Sequence, residues 1–345
     1  MFSSRRWAGL ALLAFGATSG LAADAPRGGP AAASQSYVIG LLEADPARGD
    51  ALAQGVVEAL AGLNAAGGIG GHPIRLLRLG RGETWRMGAP LMARLLSEPG
   101  LLAVLGPTDG AGAHLAAQVA TKRGVPVITL SAEASLTQAF DPWVFRGVPD
   151  DREQAQAVLD ELLRAGPTDS ATLVVPSGRE GRERRLALVA ACGAAQVTVA
   201  ATLEVGEEPV ALAAESAGIV LLWLDAVPAR AFLEHLGPRR ELRIAGSQRL
   251  ETPVFLDRAP AAAEGMLLPA VGGDLALGYD LAGAIVAAAR RSGAEPERVR
   301  AGLASGPPWR GRTGTIRFDG KGNRQGPIAL GVVRQGALQA AAARP

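Results

Sequence analysis

Cysteine and histidine are both scarce in this chain of 345 residues. Cys192 is the single cysteine, so an intrachain disulfide is excluded even in an oxidising compartment. It falls in a helical pattern, Leu186 to Ala195, where we expect a buried and unreactive thiol. The histidines lack the spacing of metal ligands, so we expect no metal site at His72, His114 or His235.

Clustered positive charge is also missing. The formal net charge is +2, and removal of Arg5 and Arg6 with an N-terminal leader brings it close to zero. The sequence has no basic stripe with interleaved aromatic residues, which argues against a nucleic-acid partner. No run of 18 apolar residues follows the leader, so we predict no membrane span.

The sequence lacks the motifs of the common enzymes and cofactor-binding proteins. Ser177 is not in a Gly-x-Ser-x-Gly elbow, and no acid/base pair stands out. The glycines at 67–71 follow a helix and precede a strand, the reverse of the order in a phosphate-cradling loop. We therefore predict a protein that is not an enzyme and that carries no cofactor.

Residues 1–25 have the pattern of a secretory signal peptide. Arg5 and Arg6 precede an apolar segment from Trp7 to about Ala17, and small residues follow. The two arginines faintly suggest the twin-arginine route, but Ala8-Gly9 replaces the expected apolar pair, which favours general secretion. The predicted location is the periplasm.

The stretch Leu101 to Asp150 predicts one βαβ unit. Two apolar runs, Leu101 to Leu105 and Val125 to Leu130, flank a small-residue helical pattern, as in parallel strands that are buried on both faces. Ligands of such sheets bind beyond the carboxyl ends of the strands, where the next helix begins. The loops Pro107 to Ala113 and Ser131 to Ser135 are therefore the leading site candidates.

The rest of the chain repeats the alternation of strands and helices, which predicts a second α/β layer after the segment Arg146 to Asp150. Near the C-terminus, turn-forming residues separate two further strand patterns, Gly314 to Phe318 and Ile328 to Gln335. The intervening residues Asp319 to Asn323 predict a hairpin between them.

Six segments in order together resemble the type I periplasmic solute-binding proteins of the leucine/isoleucine/valine-binding family. They are GLNAAGGIGGHPIRLL (Gly62 to Leu77), Leu101 to Ala132, VFRGVPDDREQAQA (Val144 to Ala157), AEGMLLPA around Glu264, GYDLAGAIVAAARRSG (Gly278 to Gly293) and GTIRFDGKGNR (Gly314 to Arg324). The resemblance implies an α/β fold with two Rossmann-like lobes, each with a parallel central sheet, joined by a three-crossing hinge. Lobe 1 would comprise residues 35–146 and 268–312, and lobe 2 residues 147–267 and 313–340.

The family resemblance also implies a function and a partner. The protein would capture a small polar, amino-acid-like or amide solute between closing lobes and deliver it to an ABC permease in the inner membrane. We expect a monomer. Two alternatives stay open: a periplasmic sensor of the same fold that docks a signalling partner, and a degenerate scaffold that binds no solute.

The site residues depart from the pattern of the amino-acid-binding members. The resemblance places Gly110 and Glu133 where that pattern has a serine and a threonine that hold the amino acid, and Ser131 where a backbone contact is usual. Gln248 stands near the position of the carboxylate that pairs with the ammonium, and Trp223 to Ala226 near an aromatic wall. The usual amino-acid clamp is therefore incomplete. If Asp109 and Glu133 both face the cleft, they repel a ligand carboxylate, which favours an uncharged or cationic solute over an amino acid.

Several candidates have two interpretations. Glu133 accepts hydrogen bonds from a ligand or is a solvated residue at a helix start. Asp109 contacts the ligand or, as we favour, caps the helix that begins near Ala111. Arg179 binds a carboxylate or, as we favour, is a solvated helix entry. Trp85 stacks on the ligand or packs between elements, and Trp223 forms a ligand wall or, as we favour, belongs to the core.

The ligand-binding candidates share positions at or near the ends of predicted strands. They are Glu43, Trp85, Asp109, Gly110, Ala111, Ser131, Ala132, Glu133, Ser177, Arg179, Trp223, Asp225 and Gln248.

Overall fold

A computed structural model describes most of the chain. The described residues are 36–43, 45–80, 88–137, 142–166, 168–206, 218–239 and 241–341. The predicted signal peptide, residues 1–25, and the candidate Trp85 lie outside them.

Fourteen strands are present among the described residues. They are β1 (Tyr37–Leu42), β2 (Ile74–Leu79), β3 (Leu101–Leu105), β4 (Val127–Thr129), β5 (Val144–Arg146), β6 (Ser170–Pro176), β7 (Thr198–Val205), β8 (Gly218–Leu222), β9 (Leu242–Gly246), β10 (Leu267–Pro269), β11 (Trp309–Gly311), β12 (Gly314–Ile316), β13 (Leu330–Arg334) and β14 (Ala337–Ala340).

The same residues form nine α-helices. They are α1 (Pro46–Ala65), α2 (Gly88–Leu95), α3 (Gly110–Arg123), α4 (Asp151–Ala165), α5 (Gly178–Ala194), α6 (Ala226–Leu236), α7 (Pro253–Leu256), α8 (Gly273–Ser292) and α9 (Pro296–Ser305). None of these helices is both long and apolar enough to span a lipid bilayer.

Two large sheets confirm the predicted α/β fold, and β11 and β12 form a small third sheet. The first has the order β2-β1-β3-β4-β5 and is parallel throughout. The second has the order β14-β13-β10-β9-β8-β6-β7, with antiparallel pairing only at β13 and β14. We call the part built on the first sheet lobe 1 and the part built on the second lobe 2. The residue bounds given above for the lobes stay a prediction.

Helices cover both faces of each sheet. Helices α1, α8 and α9 pack on one face of the first sheet, and α2 and α3 on the other. In lobe 2, α4 and α5 cover one face, and α6 and α7 the other. Because both faces are covered, strands such as Leu101–Leu105 are buried along their whole length, which explains their continuous apolar sequence.

The chain passes between the lobes three times, after β5, after β10 and after β12. The first and third crossings are hydrogen-bonded to each other. Arg146 N donates to Gly322 O at 2.8 Å, and Arg324 N donates to Arg146 O at 3.2 Å. This pairing fixes the hinge side of the molecule, so the opposite ends of the lobes face each other across a cleft.

The predicted C-terminal hairpin is wrong. The strand β12 pairs with β11, and β13 pairs with β10 and β14. Only one isolated bridge, Phe318 with Arg324, joins the two segments. The reason is that Asp319 folds its loop locally, accepting hydrogen bonds from the backbone N–H groups of Lys321 and Asn323, while the chain crosses to the other lobe.

Candidate functional site

A cavity of about 840 Å³ lies between the lobes. Its walls come from the loops after β1, β3 and β4 of lobe 1, from the segments after β8 and β9 of lobe 2, and from the N-terminal turns of α1, α4 and α8. The carboxyl ends of the parallel strands therefore meet at this cavity, where the sequence predicted the site. Both predicted loops contribute, through Thr108, Asp109 and Gly110 and through Ser131 and Glu133.

Two carboxylates form the lobe 1 side of the cavity floor. Glu43 is 1% exposed and accepts hydrogen bonds from Asp45 N at 3.0 Å and Thr108 N at 2.9 Å. Asp109 caps α3 by accepting a hydrogen bond from Gly112 N at 2.7 Å, as we favoured. Burial raises the pKa of both carboxyl groups.

Arg48 lies beside this floor and is paired within lobe 1. Its Nε and Nη2 atoms donate to the two carboxylate oxygens of Asp274, each at 2.9 Å. Burial opposes the charged form, but Asp274 raises the pKa of the guanidinium overall. The bidentate pair joins the first turn of α1 to the first turn of α8.

The lobe 2 wall is built around two further arginines. Arg249 donates to Asp151, with Nη1 to Oδ1 at 2.7 Å and Nη2 to Oδ2 at 3.3 Å. Arg184 contacts Asp225 at 3.3 Å and Glu180 at 2.9 Å. Burial acts against the Asp225 carboxylate, but Arg184 and Arg249 lower its pKa.

Carboxylates outnumber guanidiniums on the cavity surface. Three arginines line it, Arg48, Arg184 and Arg249. Ten acidic residues line it: Glu43, Asp45, Asp109, Glu133, Asp151, Glu180, Glu183, Asp225, Glu251 and Asp274. The described surface of the cavity therefore has an excess of negative charge, which disfavours a solute that carries a carboxylate.

Glu133 is held by partners from both lobes. Arg179 at the start of α5 binds it with two hydrogen bonds, Nη2 to Oε1 at 2.7 Å and Nη1 to Oε2 at 3.0 Å. His114 Nε2 and Ser135 Oγ each lie 2.7 Å from Oε1. Burial acts to raise the pKa of Glu133, but the bonds from Arg179, Ser135 and His114 lower it to about 2.

The structure brings about half of the predicted site residues to the cavity. The candidates that line it are Glu43, Asp109, Gly110, Ser131, Glu133 and Asp225. The described candidates that do not line it are Ala111, Ala132, Ser177, Arg179, Trp223 and Gln248. Of these, Arg179 reaches the site through Glu133.

Trp223 belongs to the core of lobe 2 and not to a ligand wall. It is 0% exposed and packs against the face covered by α4 and α5. Its Nε1 donates to Asp151 Oδ1 at 2.9 Å, so the indole supports the Asp151–Arg249 pair from behind. The sequence favoured this core position, because Trp223 ends an apolar strand pattern.

Several cavity residues were missed by the sequence. They are Arg48, Asp151, Arg184, Arg249 and Asp274. Arg48 and Arg249 follow the ends of β1 and β9, and the rule that selected the two loops would have included them. The same rule covers Asp274, in the first turn of α8 after β10, whereas Arg184 lies further along α5, where the local sequence gives no such signal.

The described residues contain no group of three or more His, Cys, Asp or Glu side chains that could hold a metal ion. The cavity instead offers hydrogen-bonding groups, charges and aliphatic walls. Such a lining is suited to binding a small molecule.

A sequence profile of the periplasmic binding protein family matches residues 43–270. The chain belongs to this family. The match includes both site loops and the first crossing between the lobes, so the resemblance found in the sequence is confirmed. No curated protein matches the sequence.

Solved structures of other periplasmic binding proteins share the fold. The branched-chain amino acid binding protein LivJ of Streptococcus pneumoniae, in complex with isoleucine, is 18% identical with a TM-score of 0.76, over 88% of this chain and 98% of that one. A substrate-binding protein of Desulfitobacterium hafniense, in complex with leucine, is 18% identical with a TM-score of 0.73, over 89% and 100%. A solute-binding protein of R. palustris, in complex with benzoate, is 16% identical with a TM-score of 0.73, over 88% and 95%.

Proposed function

We propose that this periplasmic binding protein is the exported solute-binding component of an ABC importer. It holds a small solute between its lobes and presents the closed form to a permease in the inner membrane. The observation that carries the proposal is the cavity of about 840 Å³ whose walls come from both lobes. A solute in that position contacts both lobes at once, so its binding energy favours closure.

The charge of the cavity supports a neutral or cationic solute. Besides burial, the negative charge of Asp109 raises the pKa of Glu43, so the two carboxylates repel each other. Arg48 is already paired with Asp274. An ammonium or amide N–H donor satisfies such acceptors, whereas a second carboxylate is repelled. In this respect we expect the protein to differ from neighbours that are complexed with leucine, isoleucine or benzoate.

The apolar flank of the cavity supports a solute with an aliphatic portion. Val227 is 64% exposed and Val254 39% exposed, and both line the cavity together with Pro228 and Leu275. No aromatic side chain lines the cavity among the described residues. Covering two exposed valines with an aliphatic group removes apolar surface from water, which favours binding.

A thermal-shift panel of matched solutes tests this proposal. We would compare leucine with leucinamide, 4-methylvalerate with 4-methylvaleramide, and benzoate with benzamide, and confirm hits by calorimetry. A ligand at one hundred times its dissociation constant stabilises the folded state by about 2.7 kcal/mol, a shift that is easily seen. We expect the amides to stabilise the protein and their carboxylate counterparts to have no effect.

Several results would contradict the proposal. If only the carboxylate solutes stabilised the protein, the assignment of a neutral or cationic solute would be wrong. No shift with any solute in a broader panel of amides, amines and alcohols would favour the degenerate scaffold. Steady consumption of a bound compound by the purified protein would show catalysis in place of capture. Copurification with a signalling partner in place of the permease would favour the sensor.

A further inference from the structure

The Glu133 carboxylate occupies a subsite built from three elements. Arg179 comes from α5 of lobe 2, His114 from α3, and Ser135 from the turn that follows β4. The Oε1 atom lies 2.7 Å from a nitrogen or oxygen of each of the three. A guanidinium, an imidazole and a hydroxyl that converge on one oxygen form a recognition site for a carboxylate, and here the carboxylate belongs to the chain itself.

The room for this carboxylate exists because residue 110 is a glycine. A Cβ at Gly110 would lie 2.1 Å from Glu133 Oε2 and 3.4 Å from Arg179 Nη1. The backbone of Gly110 is helical and does not require glycine for its conformation. Glycine at position 110 therefore leaves space for the Glu133 carboxylate, which lies against the first site loop.

The pair also spans the cleft. Glu133 follows β4 of the first sheet, and Arg179 follows β6 of the second. Glu133 has a side chain only 9% exposed, whereas Arg179 is 42% exposed, so the arginine reaches from the outer edge of lobe 2 into a pocket of lobe 1. Two hydrogen bonds in parallel fix the relative orientation of the two side chains.

We propose that Glu133 is a built-in carboxylate ligand that joins the two lobes through Arg179 and closes this subsite to carboxylates from solution. The pair favours the closed arrangement by itself, without a captured solute. Its truncation leaves a subsite of Arg179, His114 and Ser135 that accepts a small free carboxylate in its place. The proposal does not depend on transport or on the identity of any imported solute.

Chemical rescue of Glu133→Ala tests the proposal. Small-angle scattering of the solute-free full chain should show a larger radius of gyration for Glu133→Ala than for the wild type. Sodium acetate at constant ionic strength, with chloride as the comparison anion, should return the variant to the wild-type value. The acetate response should be at least about tenfold weaker in Glu133→Ala/Arg179→Ala, because the bidentate charged partner is lost.

A matched control separates this pair from ordinary ion pairs. Glu161 and Arg164 form a Glu–Arg pair within α4, so Glu161→Ala removes the same type of interaction without affecting the cleft. Its scattering should equal that of the wild type and should not respond to acetate. A change of the same size in this control would mean that the effect is not specific to the cross-cleft pair.

A second variant protects the test against misfolding of Glu133→Ala. Gly110→Ser keeps both charges but places a Cβ in the space of the Glu133 carboxylate, so it should also expand the solute-free protein. Circular dichroism establishes that each variant is folded. Wild-type compactness in both Glu133→Ala and Gly110→Ser, or an acetate response that survives removal of Arg179, would overturn the proposal. Neither result would bear on the amide panel described above.

Discussion

At the scale of single residues, Asp151 is a buried acid in the cavity wall that hydrogen-bonds to both lobes. It is 5% exposed and accepts hydrogen bonds from Arg249 and from the Trp223 indole. Its own backbone N–H donates to Ala132 O of lobe 1 at 2.9 Å. The carboxylate therefore joins the core of lobe 2 to a buried arginine, and the backbone N–H of the same residue bonds to lobe 1.

We predict that Asp151→Ala destabilises the protein by about 3–5 kcal/mol, because it removes the carboxylate that hydrogen-bonds the buried Arg249 and leaves that guanidinium with the longer 3.8 Å contact to Asp225. Urea unfolding measures the change through the transition midpoint. Asp160→Ala is the matched control, since Asp160 lies on the same helix and accepts an exposed hydrogen bond from Gln156. The control should change stability by at most about 0.5 kcal/mol. Equal midpoints for the two variants would contradict the role assigned to Asp151.

Residue-scale chemistry was only partly readable from the sequence. The capping role of Asp109 was predicted because cap and helix are adjacent in the chain. The partner of Glu133 was not, because Arg179 lies 46 residues away on another lobe. The sequence offered carboxylate recognition by Arg179 as an alternative but favoured a solvated helix entry, because it could not show that a carboxylate of the other lobe lies within reach.

At the scale of elements, the contact between α1 and α8 depends on two glycines. A Cβ at Gly55 would lie 1.9 Å from Leu275 O, and a Cβ at Gly278 would lie 2.3 Å from Leu52 O. The two helix backbones therefore approach each other so closely that a residue with a Cβ atom does not fit at either position. This contact positions the first turns of both helices, where Arg48 meets Asp274 at the edge of the cavity.

We predict that Gly55→Ala and Gly278→Ala each destabilise the protein by about 1–3 kcal/mol, because the added methyl group forces the helix backbones apart. Gly62→Ala on the same helix α1 is the control. A Cβ added at Gly62 would have no atom within 4 Å, so this variant should instead stabilise α1 by up to about 1 kcal/mol through helix propensity. Thermal denaturation gives all three values, and destabilisation by Gly62→Ala to the same degree would refute the packing argument.

Strands and helices were largely predictable, whereas their pairing was not. The run Leu101 to Leu105 identified β3 because a strand buried on both faces must be apolar throughout. The same local signals suggested a hairpin at Asp319, which is wrong because β12 and β13 belong to different lobes. Turn residues report that the chain bends, but the partner of each strand is decided by the tertiary fold.

At the scale of the whole molecule, the lobes and the cleft followed from the family resemblance and from the alternation of strands and helices. The number of carboxylates that line the cleft could not be predicted in this way. Asp151 and Arg249 meet across 98 residues, and Arg48 and Asp274 across 226. No rule of spacing reports such pairs, so the charge of the cavity becomes visible only when the two sheets are assembled.

Closure of the lobes should depend on pH through Glu133. Its pKa falls from an ordinary 4.5 to about 2 when Arg179, Ser135 and His114 hold it. Opening breaks only the bonds from Arg179, because His114 and Ser135 belong to lobe 1 with Glu133. The part of the pKa lowering that is due to Arg179 therefore stabilises the closed form, and this stabilisation is lost as the pH falls towards 2. The other charged groups nearby are Asp109, immediately before α3, and Glu180 and Glu183 on α5, which all interact with Arg179 as well.

We therefore predict that the radius of gyration of the solute-free protein is constant above about pH 5 and rises as the pH falls from 4.5 towards 2. Glu133→Gln should show the expanded value at neutral pH and no further change in that window. Scattering at a series of pH values makes the comparison. An identical pH profile in the two proteins would assign the transition to other groups.

The burial of Cys192 has a practical consequence for observing these motions. The side chain is 0% exposed, and burial raises the pKa of the thiol to about 11. Maleimide dyes attack the thiolate of an accessible cysteine, so the native thiol stays unlabelled in the folded protein. A cysteine introduced on the rim of either lobe will then be the sole attachment point, and a fluorophore placed there can follow opening and closing in real time with the natural sequence otherwise intact.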